Sequence, residues 1–393
     1  MPSIEGMGFP LAFKVAGDIY SPPPLKASEG EVAVRLEARA LEGMQKEALV
    51  HYGPNNTVWR MVSDEGPYLN GTDLAPFPLA FYSAGMAFSF LSELERHAVQ
   101  RNIDLRSVSL EQDSYYTMQG SAIRGDMIGG ALPTELSVRI EADASRENII
   151  AIVNLAEASS PAQSYMNDVL QNTFSLEANG QPLPVSGVTP APGEREPDPE
   201  PEFEAAYPAR PEEFQPGIIT KHATAEALKG VEGGAGSSLK SEQKRTLHVH
   251  AQAAIREDGL REAEVHLFKP IGSTFLFISD ENSQIAPPSL GYLSAGVAFC
   301  YMTQLGRYAT ILKQDLSSYR LIQDNVFKTS AGDVKAEAKP VNTQLFVTLN
   351  DTDEAAQRLL YMGERTCFLH AAMRSSNRSE LSVELDGEEL EFA

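Results

Sequence analysis

The chain repeats itself, and that constrains its fold more than any other feature. Ser83-Ala-Gly-Met-Ala-Phe-Ser89 reads almost the same as Ser294-Ala-Gly-Val-Ala-Phe-Cys300, 211 positions on. The spacing holds without a gap through Arg96 and Arg307, Asp104 and Asp315, and Gln112-Asp113 and Gln323-Asp324. Upstream, Glu47-Ala-Leu-Val-His51 matches Glu262-Ala-Glu-Val-His266, and Ser63-Asp64-Glu65 matches Ser279-Asp280-Glu281. Downstream, Met166 matches Met373 and Gly180 matches Gly387. Chance does not give such a collinear series, so the sequence predicts one fold written twice. The first copy spans 1–187 and the second 246–393. Between them, 188–245 is rich in Pro and Glu and then in Gly, the composition of a linker. Its acidic run, Glu194 to Glu202, reads as solvated chain. Phe203, Tyr207 and Phe214 offer the alternative of an arm docked along a domain surface.

Each copy reads as α+β. Strand-like runs come first, Val32–Leu36 and Thr57–Val62 in one copy, Leu247–Ala251 and Thr274–Ile278 in the other. A long helix follows, over Pro78–Asn102 and Ser289–Lys313. Its first half is apolar almost all round (Leu79, Phe81, Tyr82, Met86, Phe88), which demands burial on several sides. Further strands follow at Leu136–Ile140 and Leu345–Leu349, then a helix at Glu147–Leu155 or Glu354–Met362. A second helical stretch begins near Ser160 or Cys367. A closing strand, Thr173–Ala178 or Glu380–Leu385, leads into Asn179-Gly180 or Asp386-Gly387, the residues that favour a tight hairpin.

Charge narrows the function classes. Acidic residues outnumber basic ones 54 to 32, a formal charge of −22. Such a surface repels phosphate backbones, so neither nucleic acid nor an anionic membrane is an expected partner. No apolar run is long enough for a membrane span, and Met1–Phe13 lacks the basic start of a signal peptide. Two cysteines in 393 residues argue against a disulfide-stapled secreted scaffold. The sequence therefore reads as a cytoplasmic protein with free thiols.

Both thiols belong to the second copy. Cys300 lies in the apolar part of the long helix, and Ser89 holds its place in the first copy. Cys367 follows Gly363-Glu-Arg-Thr366 where one helix stops and another starts, and it matches Ser160. A thiol at a helix N-terminus sees unpaired N–H groups, which favour thiolate, and Arg365 and His370 are near in sequence. The competing reading makes each cysteine a small buried hydrophobe.

The helical Cys300, the Cys367-x-x-x-Ala-x-Met helix start, the Asp-Glu ahead of a proline-led helix and the closing Asp-Gly hairpin resemble the OsmC/Ohr superfamily, the osmotically inducible and organic hydroperoxide resistance proteins. The resemblance covers roughly 30–185 and 246–390. It implies two packed long helices between antiparallel sheets, formed in the family by two subunits and here by the two copies as an intrachain pseudo-dimer. It also implies reduction of organic hydroperoxides, with Cys300 as the peroxidatic thiol and Cys367 as the resolving one, on the reversible steps of cysteine oxidation. No bound cofactor or metal is implied. An external dithiol of the lipoyl type is implied as reductant, and further pairing of whole chains is left open.

This sequence departs from the family pattern at the helix start. Active members carry a Glu there and an activating Arg from the N-terminal region. Pro288-Ser-Leu-Gly-Tyr292 and Phe77-Pro-Leu-Ala-Phe81 offer no carboxylate. Arg60, Arg256 and Arg261 are candidate cations by region, with Arg60 placed first. The rival to the enzyme is a catalytically silent relative binding a small apolar ligand or a protein partner between the copies. His248, His250 and His266 could share a strand face, but ordinary surface histidines are the favoured reading over a zinc site. Trp59 reads as a core residue.

Overall fold

The computed structural model describes residues 2–206, 217–224, 239–328 and 335–391. It is a mixed α+β structure with two sheets, each antiparallel for most of its pairings. The first half supplies β1 (Ala12–Val15), β2 (Glu31–Ala40), β3 (Lys46–Tyr52) and β4 (Thr57–Ser63), then helix α1 (Pro78–Gln100). After it come β5 (Leu105–Ser121), β6 (Ile128–Ala131), β7 (Glu135–Ala142), helix α2 (Arg146–Ser159), β8 (Thr173–Ala178), β9 (Gln181–Leu183) and β10 (Thr189–Pro190). The second half supplies β11 (Ile219–Ala223), β12 (Glu242–Ile255), β13 (Arg261–Lys269), β14 (Thr274–Ser279) and helix α3 (Ser289–Leu312). It ends with β15 (Leu316–Lys328), β16 (Glu337–Ala338), β17 (Asn342–Leu349), helices α4 (Asp353–Thr366) and α5 (Phe368–Met373), β18 (Glu380–Leu385) and β19 (Glu388–Leu390).

Neither sheet belongs to one half of the chain. The first runs β1-β4-β3-β2-β15-β17-β8-β10, the second β11-β14-β13-β12-β5-β7-β18-β19. The joins are the antiparallel pairs β2–β15, with Arg35 opposite Asp324, and β12–β5, with His250 opposite Asp113. Parallel pairs β17–β8 and β7–β18 weave the halves together again. Between the sheets lie the two long helices. α1 packs on β12 and β13, α3 packs on β2 and β3, and the helices pack on each other. This explains the all-round apolar character of both: each meets a sheet on one side and a helix on the other.

The helix–helix contact is close. A Cβ on Gly85 would stand 2.5 Å from the Leu293 nitrogen, and one on Gly296 would stand 2.6 Å from that of Tyr82. Phe81 and Phe299 meet edge to face beside it, with centroids 5.3 Å apart. Helix starts follow local rules. Pro78 occupies the first turn of α1, and Ser145 and Thr352 accept backbone N–H bonds at the starts of α2 and α4. The closing turns have positive φ at Asn179-Gly180 and Asp386-Gly387, as the hairpin residues require. Among the described residues, no helix is long and apolar enough to cross a membrane.

The acidic run is not solvated chain. Arg320 binds Asp198 through Nε and Nη2, each at 2.7 Å, Arg39 reaches Glu200 at 2.6 Å, and Arg35 reaches Glu196 at 3.3 Å. Phe203 is 1% exposed, and the Arg39 guanidinium lies over its ring. Arginines on the outer face of the first sheet therefore hold the strap from Glu196 to Phe203 as a docked arm, which charge composition alone does not reveal. Tyr207, Phe214 and the Gly-rich 230–238 lie outside the described residues. Under the strap, burial pushes the Glu37 carboxyl up to about 7, with Arg35 opposing and Glu202 adding to the rise.

Two measurements check this architecture. Gly85→Val wedges a side chain into the α3 backbone and lowers unfolding stability by about 3 kcal/mol or more, read as a reduced urea midpoint at unchanged slope. For Glu37, the folded state keeps a proton up to about pH 7, while an unfolded glutamate releases it near ~4.3. Stability from this group is therefore full at low pH and falls as pH rises through that interval. Glu37→Gln is expected to stabilise the protein by about 1–3 kcal/mol at pH 8 and to have no such effect near pH 4.

Candidate active site

Two cysteines far apart in sequence meet in the core. The Cys367 Sγ lies 3.3 Å from the Cys300 Sγ, and both thiols are free. They are 2% and 0% exposed. Cys300 is held by α3, one turn past the Gly296 contact. Cys367 is the hinge between α4 and α5, with φ −68° and ψ 122°. β6 packs against this hinge: a Cβ on Gly129 would stand 2.7 Å from the Thr366 carbonyl oxygen. Glycine there lets a strand of the first half press on the turn that aims Cys367. The matched positions, Ser89 and Ser160, hold hydroxyls 2.9 Å apart.

The N–H groups of Leu369 and His370 favour the Cys367 thiolate, as its helix-start position suggests. Burial outweighs them. It pushes the Cys367 thiol well above its ordinary range, and the contact with the Cys300 sulfur adds to the rise. Arg365 and His370 do not contribute the charge their proximity in sequence suggests. The Arg365 side chain turns to the Tyr361 hydroxyl at 2.5 Å. His370 is fully buried between Phe174 and Tyr301, and its pKa is pushed down to about 3 by burial and by Arg374.

Cys300 opens on a small pocket whose core holds about 20 Å³, the space of a single water. Leu79, Leu247, Leu267 and Phe368 form its apolar wall; Glu65, Tyr68, Arg245, Thr303 and Gln304 form the polar one. Glu65 brings a carboxylate to this pocket from the turn after β4. The Thr303 hydroxyl, one helical turn beyond Cys300, donates to Glu65 Oε1 at 2.7 Å, and the Tyr68 hydroxyl donates to Oε2 at 2.7 Å. Burial raises the Glu65 pKa, opposed by Lys46 and by these two hydrogen bonds. Arg245, at the start of β12, brings a guanidinium to the same pocket. Its pKa is lowered by burial, with Tyr68 and Glu65 opposing.

Arg60 is not part of this pocket. It is 4% exposed, bonded to Glu47 by Nε at 2.7 Å and Nη2 at 2.5 Å, and lies over the rings of Phe9 and Phe13. The reason is strand alternation: on β4, Trp59 and Met61 face the main core, so Arg60 faces away from it. Arg256 sits at the surface with Asp258, and Arg261 pairs with Glu95. The histidines share a face as read. His248 and His250 both meet Asp113 Oδ1, at 2.5 and 2.8 Å, while His266 meets Glu264 at 2.8 Å. Among the described residues, no group of three or more His, Cys, Asp or Glu is arranged to hold a metal. Trp59 is 1% exposed, and its indole N–H donates to Ser283 Oγ at 2.7 Å. Glu65, Arg245 and Thr303 were missed as site residues. The recurrence of Asp-Glu at 64–65 and 280–281 was the available signal.

No family model matches the chain, and no curated protein does. Among solved structures, it is similar to an OsmC-like hydroperoxide resistance protein from Jannaschia sp. CCS1. The identity is 28%, over 28% of this chain and 75% of that one, with a TM-score of 0.21. That likeness is weak.

Replacing Cys300 with Ala removes the sulfur contact that helps hold the Cys367 thiol protonated. Ultraviolet titration of the single remaining thiolate is expected to show Cys367 ionising at lower pH than in the parent, while burial still keeps it above an ordinary thiol.

Proposed function

We propose that this chain is a thiol-dependent reductase of organic hydroperoxides, working through Cys300 and Cys367, and that its two repeats fold as an internal dimer. The observation that carries the reading is the 3.3 Å approach of the two sulfurs beside the pocket on which Cys300 opens. A thiolate at Cys300 attacks the terminal peroxide oxygen. The O–O bond breaks, the alcohol leaves after taking up a proton, and Cys300 becomes a sulfenic acid. The Cys367 thiol then condenses with it, releasing water and closing a disulfide. Only a small approach separates 3.3 Å from a bond of about 2.05 Å. An external dithiol of the lipoyl type reduces the disulfide and restores both thiols.

The lining suits this chemistry. Leu79, Leu247, Leu267 and Phe368 favour an apolar substituent on the hydroperoxide, for which the room of a single water must widen, while Arg245 and Gln304 supply donors to the peroxide oxygens. Glu65 fixes the Thr303 and Tyr68 hydroxyls. The matched serine pair lacks a readily ionised sulfur and forms neither sulfenic acid nor disulfide, so each chain carries one such site.

One equivalent of cumene hydroperoxide followed by peptide mass spectrometry tests the reading. A Cys300–Cys367 disulfide with consumption of peroxide is expected, abolished by Cys300→Ser and untouched by Ser89→Ala. Two unmodified thiols and unconsumed peroxide would instead favour a ligand-binding or partner-binding protein of the same fold.

A further inference from the structure

A second cavity lies on the outer face of the first sheet, away from the thiols. It holds about 320 Å³ and shares no lining residue with the pocket at Cys300. Gln344 of β17 and Ser175 of β8, neighbours in register, form its floor. The chain from the end of β9 to the acidic strap supplies its apolar wall, as Leu183, Pro184, Val185, Pro190 and Pro192. Glu194 and Arg195 complete the lining. This wall is fixed in place. The Pro184 carbonyl accepts from Gln357 Nε2 of α4 at 3.0 Å, and the Ala191 N–H donates to the Phe174 carbonyl at 2.7 Å. The Glu196 N–H donates to Gln344 Oε1 at 2.9 Å. A cavity formed ahead of its ligand spares the cost of ordering the chain on binding.

Three polar groups of the lining are left without partners. Gln344 is 5% exposed, and with Oε1 occupied by Glu196 its Nε2 bonds nothing among the described residues. A buried donor left unpaired is costly, and a ligand acceptor relieves that cost. Arg195 gives one nitrogen to the Leu183 carbonyl at 3.3 Å. Neither it nor Glu194 has an ion-pair partner among the described residues, whereas Glu196, Asp198 and Glu200 beside them are all held by arginines. One cation and one carboxylate therefore face the cavity beside an amide donor. The wall between them is apolar even along its backbone, because its prolines carry no N–H. Its volume is at the lower end of the roughly 300–1,000 Å³ usual for small-molecule sites, which fits a ligand of amino-acid size.

We infer that this cavity binds a free α-amino acid with an apolar side chain, its carboxylate taken by Arg195 and the Gln344 amide, its ammonium by Glu194, and its side chain by the proline-lined wall. Charge selects this class. A bare organic anion meets Glu194 and the repulsion of a chain whose net charge is −22. A bare amine meets Arg195 and leaves the Gln344 donor unpaired. A zwitterion satisfies all three groups and carries no net charge against the field of the protein. The inference is independent of the thiol chemistry, because the two cavities share no residue.

Isothermal titration calorimetry of the full chain at neutral pH tests this, with L-phenylalanine as the probe. Saturable binding with one ligand per chain is expected. Phenethylamine, which lacks the carboxylate, and 3-phenylpropionate, which lacks the ammonium, are each expected to bind about tenfold or more weakly. Arg195→Met and Glu194→Gln sit on exposed chain and are expected to weaken L-phenylalanine by a similar factor, while Val185→Trp fills the cavity and abolishes binding. Circular dichroism confirms that each variant is folded. Absence of saturable binding in the parent overturns the inference. So does binding that is unchanged in folded Arg195→Met and Glu194→Gln, or 3-phenylpropionate binding as tightly as the amino acid.

Discussion

The contact between the two long helices is the constraint on which the rest of the molecule depends. At Gly85 and Gly296 each helix comes so near the other's backbone that a single Cβ would collide. Loss of side-chain volume there lets aromatic residues such as Phe81 and Phe299 interlock around the crossing. With the helices held this close, the sheets on their outer sides are brought into the exchange that joins β2 to β15 and β12 to β5. The turn after β4 also comes within hydrogen-bond reach of α3. Glu65 meets Thr303 because α3 lies against the sheet that carries β4.

That arrangement concentrates charge where charge is expensive. Lys46 and Glu65 are buried, and Arg245 and Arg307 lie nearby. Burial and the neighbouring Arg245 lower the pKa of Arg307 to about 9. Structures keep such groups when they are paired, because removing one partner strands the other. The serine pair stands in a different electrostatic setting, with Arg261 bound to Glu95 and Glu281 bound to the Ser289 hydroxyl and N–H. Two free thiols stand 3.3 Å apart at one place, and two hydroxyls stand 2.9 Å apart at the other.

Much of the secondary structure was legible because it is written locally. Prolines before α1, Ser145 and Thr352 at helix starts, and Asn179-Gly180 and Asp386-Gly387 at turns each act within a few residues. The thiols were legible as well, since only two exist and both fall in the second half of the chain. Arg60 misled because regional proximity says nothing of strand phase. A one-residue difference puts a side chain on the opposite face, and Arg60 points to Glu47 rather than to the core. The acidic strap misled for a related reason. Its carboxylates are paired by arginines more than a hundred residues away in both directions, which composition cannot register.

The sequence by itself determined the α+β character, the long apolar helices and the presence of two thiols in the second half alone. These follow from periodicity, turn chemistry and counting, all of which act over short stretches of chain. Only the tertiary structure decided that the sulfurs lie 3.3 Å apart, and that Glu65 and Arg245 line the pocket on which the first of them opens. Those residues come from separate strands and turns of both halves. Their meeting depends on sheet register and helix crossing, which are properties of the packed whole rather than of any segment.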